Sequence, residues 1–194
     1  MATIILASTS VYKKNLFSKL GIPFEMHDPK VDESVFKSKI VDLQDLSQRL
    51  ALEKARAIYS ADTQMMTIGA DQVLALGERA FEKPGNLENA QKQLLELQGK
   101  THQLITSVAI LGNQVEWVYS EKAFLTMRPL SSSQISKYLQ KDRPFDCCGS
   151  YKLEESGISL FSQIQCSDQS SIVGLPLISI SNKLNELGIK IPAL

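Results

Sequence analysis

Short extended-looking apolar runs and helix-periodic stretches take turns along this chain, and that alternation admits few folds other than an α/β one. Thr3–Ala7 predicts a strand. Ser10 can cap a helix to Leu20, with Leu16 and Leu20 one turn apart and Gly21 as the stop. Phe24–His27 reads as extended, and Leu46, Leu50 and Ile58 fit one face of a helix from about Asp45 to Tyr59. Thr67–Ala75 is a second strong strand, followed by a hairpin turn at Leu76-Gly77-Glu78. Asn86 caps a helix Leu87–Leu97 that ends at Gly99. His102–Leu111 and Gln114–Met127 form two long strands around Gly112-Asn113. Ser131 and Gln134 make a capping box for a helix to Leu139. Ile158–Ile164 reads as a strand, and Pro176–Leu187 as the last helix, stopped by Gly188. Long hairpin strands among helices predict a mixed sheet rather than a purely parallel one. No repeat, low-complexity segment or linker-like stretch interrupts the pattern.

At 194 residues and 43% hydrophobic, the chain can fill a full core without disulfide staples. Lysine plus arginine equals aspartate plus glutamate, 21 of each, so there is no basic excess for a general nucleic-acid or membrane-surface binder. An anion site must then be local. No apolar run approaches the ~20 residues that span a bilayer. The N-terminus lacks the basic start and long apolar stretch of a signal peptide and reads as the opening strand, so a cytoplasmic protein is expected. Cys147, Cys148 and Cys166 are odd in number, two of them adjacent, which predicts free thiols. His27 and His102, the only histidines, stand far from them in sequence, which argues against zinc.

Four constellations carry candidate chemistry. In the first, Ser8, Thr9 and Ser10 follow a strand, and Tyr12, Lys13 and Lys14 open a helix. Hydroxyls and ammonium groups at such a turn suit phosphate, and lysines in a first helical turn oppose the macrodipole unless an anion offsets them. A capped surface helix with solvated lysines is the alternative. The second constellation is acidic. Asp32 and Glu33 follow an extended segment, and Asp71 lies within Ile68-Gly69-Ala70-Asp71-Gln72-Val73, where a charge is costly to bury alone. Two carboxylates could hold a hard divalent cation, and one could act as general base; a hydrogen-bonded turn aspartate is the alternative. Lys54 and Lys83 lie at element ends, Lys83 beside the turn-forming Pro84-Gly85, and each could meet phosphate or solvent. The fourth constellation, from Cys148 to Gly157, carries Tyr151, Lys152, Glu154 and Glu155 between glycines and could wall a base pocket. Val173-Gly174-Leu175-Pro176-Leu177 reads as a stiff packing turn into the last helix.

In this order the pieces resemble the Maf family: Leu6-Ala7-Ser8-x-Ser10 with Lys13 and Lys14, Val31-Asp32-Glu33, Gly69-Ala70-Asp71-Gln72-Val73, Glu82-Lys83-Pro84, Gly149-Ser150-Tyr151 and Val173-Gly174-Leu175-Pro176-Leu177. The resemblance covers residue 4 to about 188. It implies one Maf-like domain over residues 1–194, an elongated mixed α/β sheet with flanking helices, similar to inosine-triphosphate pyrophosphatases, with a cleft between two lobes. It implies hydrolysis of a nucleoside triphosphate to monophosphate and diphosphate with magnesium or manganese. Dimers are common in the family, which leaves a homodimer open; neither nucleic acid nor membrane is an expected partner.

Carried over by position, Asp71 looks like the catalytic proton acceptor, Glu33 its metal-binding and catalytic companion, and Lys83 a catalytic, phosphate-contacting lysine. Ser8, Lys13, Lys14 and Lys54 look like substrate-binding residues. The chain departs from the family in carrying Lys13 and Lys14 where arginines are usual, which keeps charge but loses the bidentate fork, and Val11 where proline is usual. Tyr12, Gln72 and Glu154 match the positions that separate substrate branches. Their identities resemble the branch acting on 7-methyl-GTP rather than the one acting on dTTP and UTP. Independently, a positively charged 7-methylguanine favours an aromatic face and a carboxylate acceptor. Tyr12 could supply the face and Glu154 the acceptor, with Glu155 as a competitor. The alternatives are a pyrophosphatase for dTTP, UTP or another modified nucleotide, and a nucleotide-binding regulator of cell division with little catalysis.

Overall fold

The computed structural model describes residues 3–60 and 65–191. The domain expected over 1–194 thus includes residues 1–2, 61–64 and 192–194, which lie outside the described residues. Strand β1 (Thr3–Ala7) leads into helix α1 (Val11–Phe17), a 3-10 turn at Ser18–Leu20, and β2 (Glu25–His27). Short α2 (Ser34–Lys37) precedes long α3 (Leu43–Ile58), then come β3 (Met65–Leu76) and β4 (Arg79–Phe81). Helix α4 (Leu87–Leu97), strands β5 (Thr101–Gly112) and β6 (Val115–Met127), and helix α5 (Ser132–Asp142) follow. The chain closes with a 3-10 turn at Ser156–Leu160, β7 (Phe161–Gln165), α6 (Ser170–Val173) and α7 (Leu177–Glu186).

The result is a mixed α/β protein. Its strands run in the order β2-β1-β3-β5-β6-β7, with β4 paired to β3 beside that path. β1 is parallel to both β2 and β3, whereas β3–β4 and β6–β7 are antiparallel.

The chain divides into two compact units. The first holds residues 1–72, 106–121 and 168–194; the second holds 73–105 and 122–167. In the first, Leu6, Phe17, Ile68, Ile110, Ile180 and Leu184 form a core in which each is fully buried. A smaller cluster joins Ala51 and Ala55 of α3 to Ala109 and Leu111 of β5. In the second unit α4 packs on α5, and Leu94, Leu97, Ile135 and Leu139 are fully buried.

Local signals account for most element ends. Ser10 caps α1, accepting from the Lys13 amide, and Gly21 takes a φ of 69° where the turn needs a left-handed residue. Both halves of the Ser131–Gln134 capping box are formed. Several boundaries differ from the sequence reading, three of them for a visible local reason. α3 begins two residues before Asp45, because the Asp42 carboxylate accepts from the amides of Gln44 and Asp45. The β5–β6 turn is centred on Asn113-Gln114, with Gln114 at positive φ. The segment expected as a strand over 158–164 is a 3-10 turn to Leu160 and extended only from Phe161. There Gly157 fits against the Lys152 carbonyl, and the Asp142 carboxylate accepts from the Ser156 amide and hydroxyl, which anchors a tight turn in place of extended chain.

Candidate functional site

Parallel pairing brings three sequence-distant segments to one strand edge in the first unit. Ala7 of β1 stands opposite His27 of β2 on one side and Gly69 of β3 on the other. Ser8 therefore leaves β1 beside the stretch of β3 that holds Asp71, and the chain after β2 runs on to Glu33. Carboxyl ends of adjacent parallel strands are where α/β sheets gather ligand-binding groups.

Lys54 joins the carboxylates. Its Nζ lies 2.7 Å from Glu33 Oε1 and 2.6 Å from Asp71 Oδ1. Lys37 Nζ approaches the other Glu33 oxygen, Oε2, at 3.2 Å. Asp71 is 7% exposed, and its backbone carbonyl accepts from the Ser47 hydroxyl of α3. Burial opposes ionisation of Glu33, but the charges and hydrogen bonds of Lys54 and Lys37 overcome it and bring its pKa to about 2. The same partnership raises Lys54: burial works against its charge, and Asp71 and Glu33 outweigh that. Glu33 therefore stays ionised beside a lysine that stays protonated.

Gly69 makes this meeting possible. A Cβ there would fall well inside contact distance of the Ala51 carbonyl oxygen and the Ala55 amide nitrogen. Gly69 and the small Ala51 and Ala55 thus let α3 lie against β3, one residue from Lys54 on the helix and two from Asp71 on the strand.

At the mouth of β1, the Ser8 side chain accepts from the Ser10 amide at 3.1 Å. Tyr12 and Lys13 are half-buried on α1, and Lys14 is exposed. The Lys13 side chain lies against Gly174: a Cβ at 174 would stand 3.4 Å from Lys13 Cε. Gln72, half-buried on β3, donates from its amide nitrogen to Thr106 Oγ1 and to the carbonyls of Ser171 and Ile172, at 2.9, 2.9 and 3.0 Å. Lys83 is exposed in the second unit, beside a turn closed by the Gly85 amide donating to the Phe145 carbonyl. Glu154 and Glu155 are both exposed in that unit, and Tyr151 is buried, with His102 Nε2 2.9 Å from its hydroxyl.

Sequence reasoning missed three features. The first is Lys54 as a bridge between the carboxylates. The second is Lys37 on Glu33, for which the i,i+4 spacing was a readable signal. The third is the anchored turn at α6, where buried Asp168 accepts from the Ser170 and Ile178 amides. Among the described residues no group of three or more His, Cys, Asp or Glu converges on a point that could hold a metal ion.

The family model of Maf-like proteins matches residues 3–187. The chain belongs to the Maf-like protein family. This Maf-like chain is 39% identical over 194 residues to a 7-methyl-GTP pyrophosphatase of Pseudomonas fluorescens, covering 99% of this chain and 100% of that one. It is 38% identical to a protein of the same name from Xanthomonas oryzae pv. oryzae, again covering 99% and 100%. A third such protein, from Bdellovibrio bacteriovorus, is 38% identical over 93% of this chain and 95% of its own. Among solved structures, a HAM1 protein from Coxiella burnetii aligns over 96% of the Maf-like chain and 100% of its own at 15% identity and a TM-score of 0.47. That likeness is too loose to add to the fold described above.

Proposed function

We propose that this chain hydrolyses 7-methyl-GTP to 7-methyl-GMP and diphosphate with the help of a divalent cation. Its family and its full-length relatives make it a hydrolase of the nucleotide pyrophosphatase class. The observation that carries the reading is the convergence of Glu33, Lys54 and Asp71, far apart in sequence, with both carboxylates within 2.7 Å of the lysine Nζ.

The donor set fits magnesium or manganese. Magnesium is commonly held by one or two carboxylates, with substrate phosphate and water completing its shell, and Glu33 and Asp71, brought together at Lys54, offer such a pair. Glu33 and Asp71 would hold the ion. When bound, it supplies charge neutralisation at the phosphate oxygens and acidifies a water. Asp71 accepts the proton as the water oxygen attacks the α-phosphorus and the bond from that phosphorus to the bridging oxygen breaks, releasing diphosphate. Lys54, 2.6 Å from Asp71 Oδ1, holds that carboxylate in place for the proton and is itself available to phosphate. Ser8, Lys13 and Lys14 contact phosphate on the first unit. α1 has only seven residues, so the contact rests on hydroxyl and ammonium groups more than on a helix dipole. Lys83 contributes a further cation to phosphate.

Tyr12 and Gln72, on the first unit, set the base, and Glu154, on the second, is the third position that separates the substrate branches. A methylated, positively charged guanine ring suits an aromatic face and a carboxylate that accepts its N–H groups. The test is diphosphate release from a panel of canonical and methylated triphosphates with magnesium or manganese. 7-Methyl-GTP should be turned over fastest, and Glu154→Gln should reduce that preference. Faster release from dTTP or UTP would move the base assignment to the other branch. Tight binding of every nucleotide without release would replace the enzyme reading with that of a regulator.

A further inference from the structure

We infer that Gln72 and Thr106 are positioning residues for Lys13, acting through the turn at Ser170–Gly174, so that a position associated with base choice also governs the grip on phosphate. The inference rests on the reading of Lys13 as a phosphate contact. Thr106, on β5, matched none of the motifs in the sequence.

The chemistry of the acceptors fixes the direction of these hydrogen bonds. The carbonyls of Ser171 and Ile172 can only accept, so the nitrogen end of the Gln72 amide must face them. Thr106 Oγ1 gives its single hydrogen to the Ser171 carbonyl at 2.8 Å, so it accepts from Gln72. Both N–H bonds of Gln72 are thereby spent on the turn and on Thr106. Only Oε1 is left to face a ligand, so Gln72 can offer a base an acceptor but no donor.

The turn is fixed from its other side as well. The Ser170 hydroxyl meets the Asp168 carboxylate and accepts from the Leu177 amide at 2.8 Å. The Ser171 hydroxyl donates to the Asp168 carbonyl at 2.7 Å. Asp168, Ser171 and Thr106 are all buried. At the end of this clamped segment Gly174 takes a φ of 127°, which favours glycine, and presents bare backbone to the alkyl chain of Lys13. The seat of Lys13 is therefore only as rigid as the bonds that Gln72 and Thr106 make to the residues just before it.

Inorganic diphosphate separates this role from base recognition, because it has no base. Its affinity in the presence of magnesium is measured by calorimetry for the wild type, Thr106→Val, Thr106→Ser, Gln72→Ala, Lys13→Ala and the two double variants with Lys13→Ala. Thr106→Val keeps the shape and removes the hydroxyl; Gln72→Ala loosens the same turn from a less buried position, should the first variant fold poorly. Each should weaken diphosphate binding roughly five- to tenfold. Thr106→Ser should restore it, and neither change should weaken binding further once Lys13 is absent. Diphosphate affinity within twofold of wild type in both Thr106→Val and Gln72→Ala, or equal losses with and without Lys13, would overturn the inference. If Lys13→Ala alone binds diphosphate like the wild type, the reading of Lys13 as a phosphate contact is what fails, and the inference goes with it.

Discussion

Asp71 stands out in the sequence because a carboxylate among Ile68, Gly69, Ala70 and Val73 is expensive to bury without a partner, and the structure supplies the partner in Lys54. That Lys54 is the partner was not legible: 17 positions apart, one stands on a helix and the other on a strand, and only the packing of the two decides that they meet. Gln72 was legible as a residue of interest, but its bonds to the Ser171 and Ile172 carbonyls, about 100 residues away, leave no trace in spacing. Replacing Asp71 with Asn keeps the size and removes the proton acceptor. Steady-state diphosphate release should fall by roughly 10²- to 10⁴-fold, the range general-base catalysis supplies, while Lys54 keeps Glu33 as a partner and the variant stays folded at the assay temperature, as circular dichroism would show. Lys54→Met removes the cation between two carboxylates and leaves Asp71 buried without it; truncating one partner of a buried pair costs about 3–5 kcal/mol. The partial exposure of Glu33 lowers that, so a loss of about 2 kcal/mol in urea titrations is expected.

Elements were read more fully than contacts because caps and turns are local. Ser10, Asn86 and the Ser131–Gln134 pair each accept or exchange the hydrogen bonds that their residue types suggest. The misread stretch at Ile158–Leu160 fails for a physical reason: its apolar residues suit a strand, but Asp142 holds Ser156 and Gly157 abuts the Lys152 backbone, neither of which a local pattern reveals. The short α2 and α6, four residues each, fall below the length at which periodicity can register. At this scale Gly69 is the sharpest test. Gly69→Ala forces backbone against backbone where α3 meets β3. It should cost about 3 kcal/mol, the upper end for overpacking, seen as a fall of several degrees in the melting temperature, with activity lost at temperatures where the fold survives. The same change at Gly77, where a Cβ meets nothing within 4 Å, carries only the milder penalty of a positive φ and should leave turnover intact.

For the molecule as a whole, the mixed α/β class followed from the alternation of elements, but its division into units did not. Three of the four boundaries fall inside β3, β5 and β6, where the sequence carries strand residues and no glycine- or proline-rich linker. Acid stability also belongs to this scale. His102 is buried between Tyr151 and Phe161, its Nδ1 has no hydrogen-bond partner, and burial pushes its pKa down to about 4. The unfolded chain takes up a proton near pH 6.5 that the folded one refuses. Stability is therefore full above that pH and falls as the pH drops from 6.5 toward 4, by up to about 3 kcal/mol. Denaturant titrations between pH 7 and pH 4 should show this slope, and His102→Gln should flatten it. The lysine lodged between Glu33 and Asp71 also has a consequence for how ligands arrive. Those oxygens already have a tenant, so a free divalent ion competes with an ammonium group and should associate feebly by itself. A polyphosphate that draws the ammonium toward its own oxygens vacates the berth, so metal and nucleotide should each tighten the other's hold by the same factor.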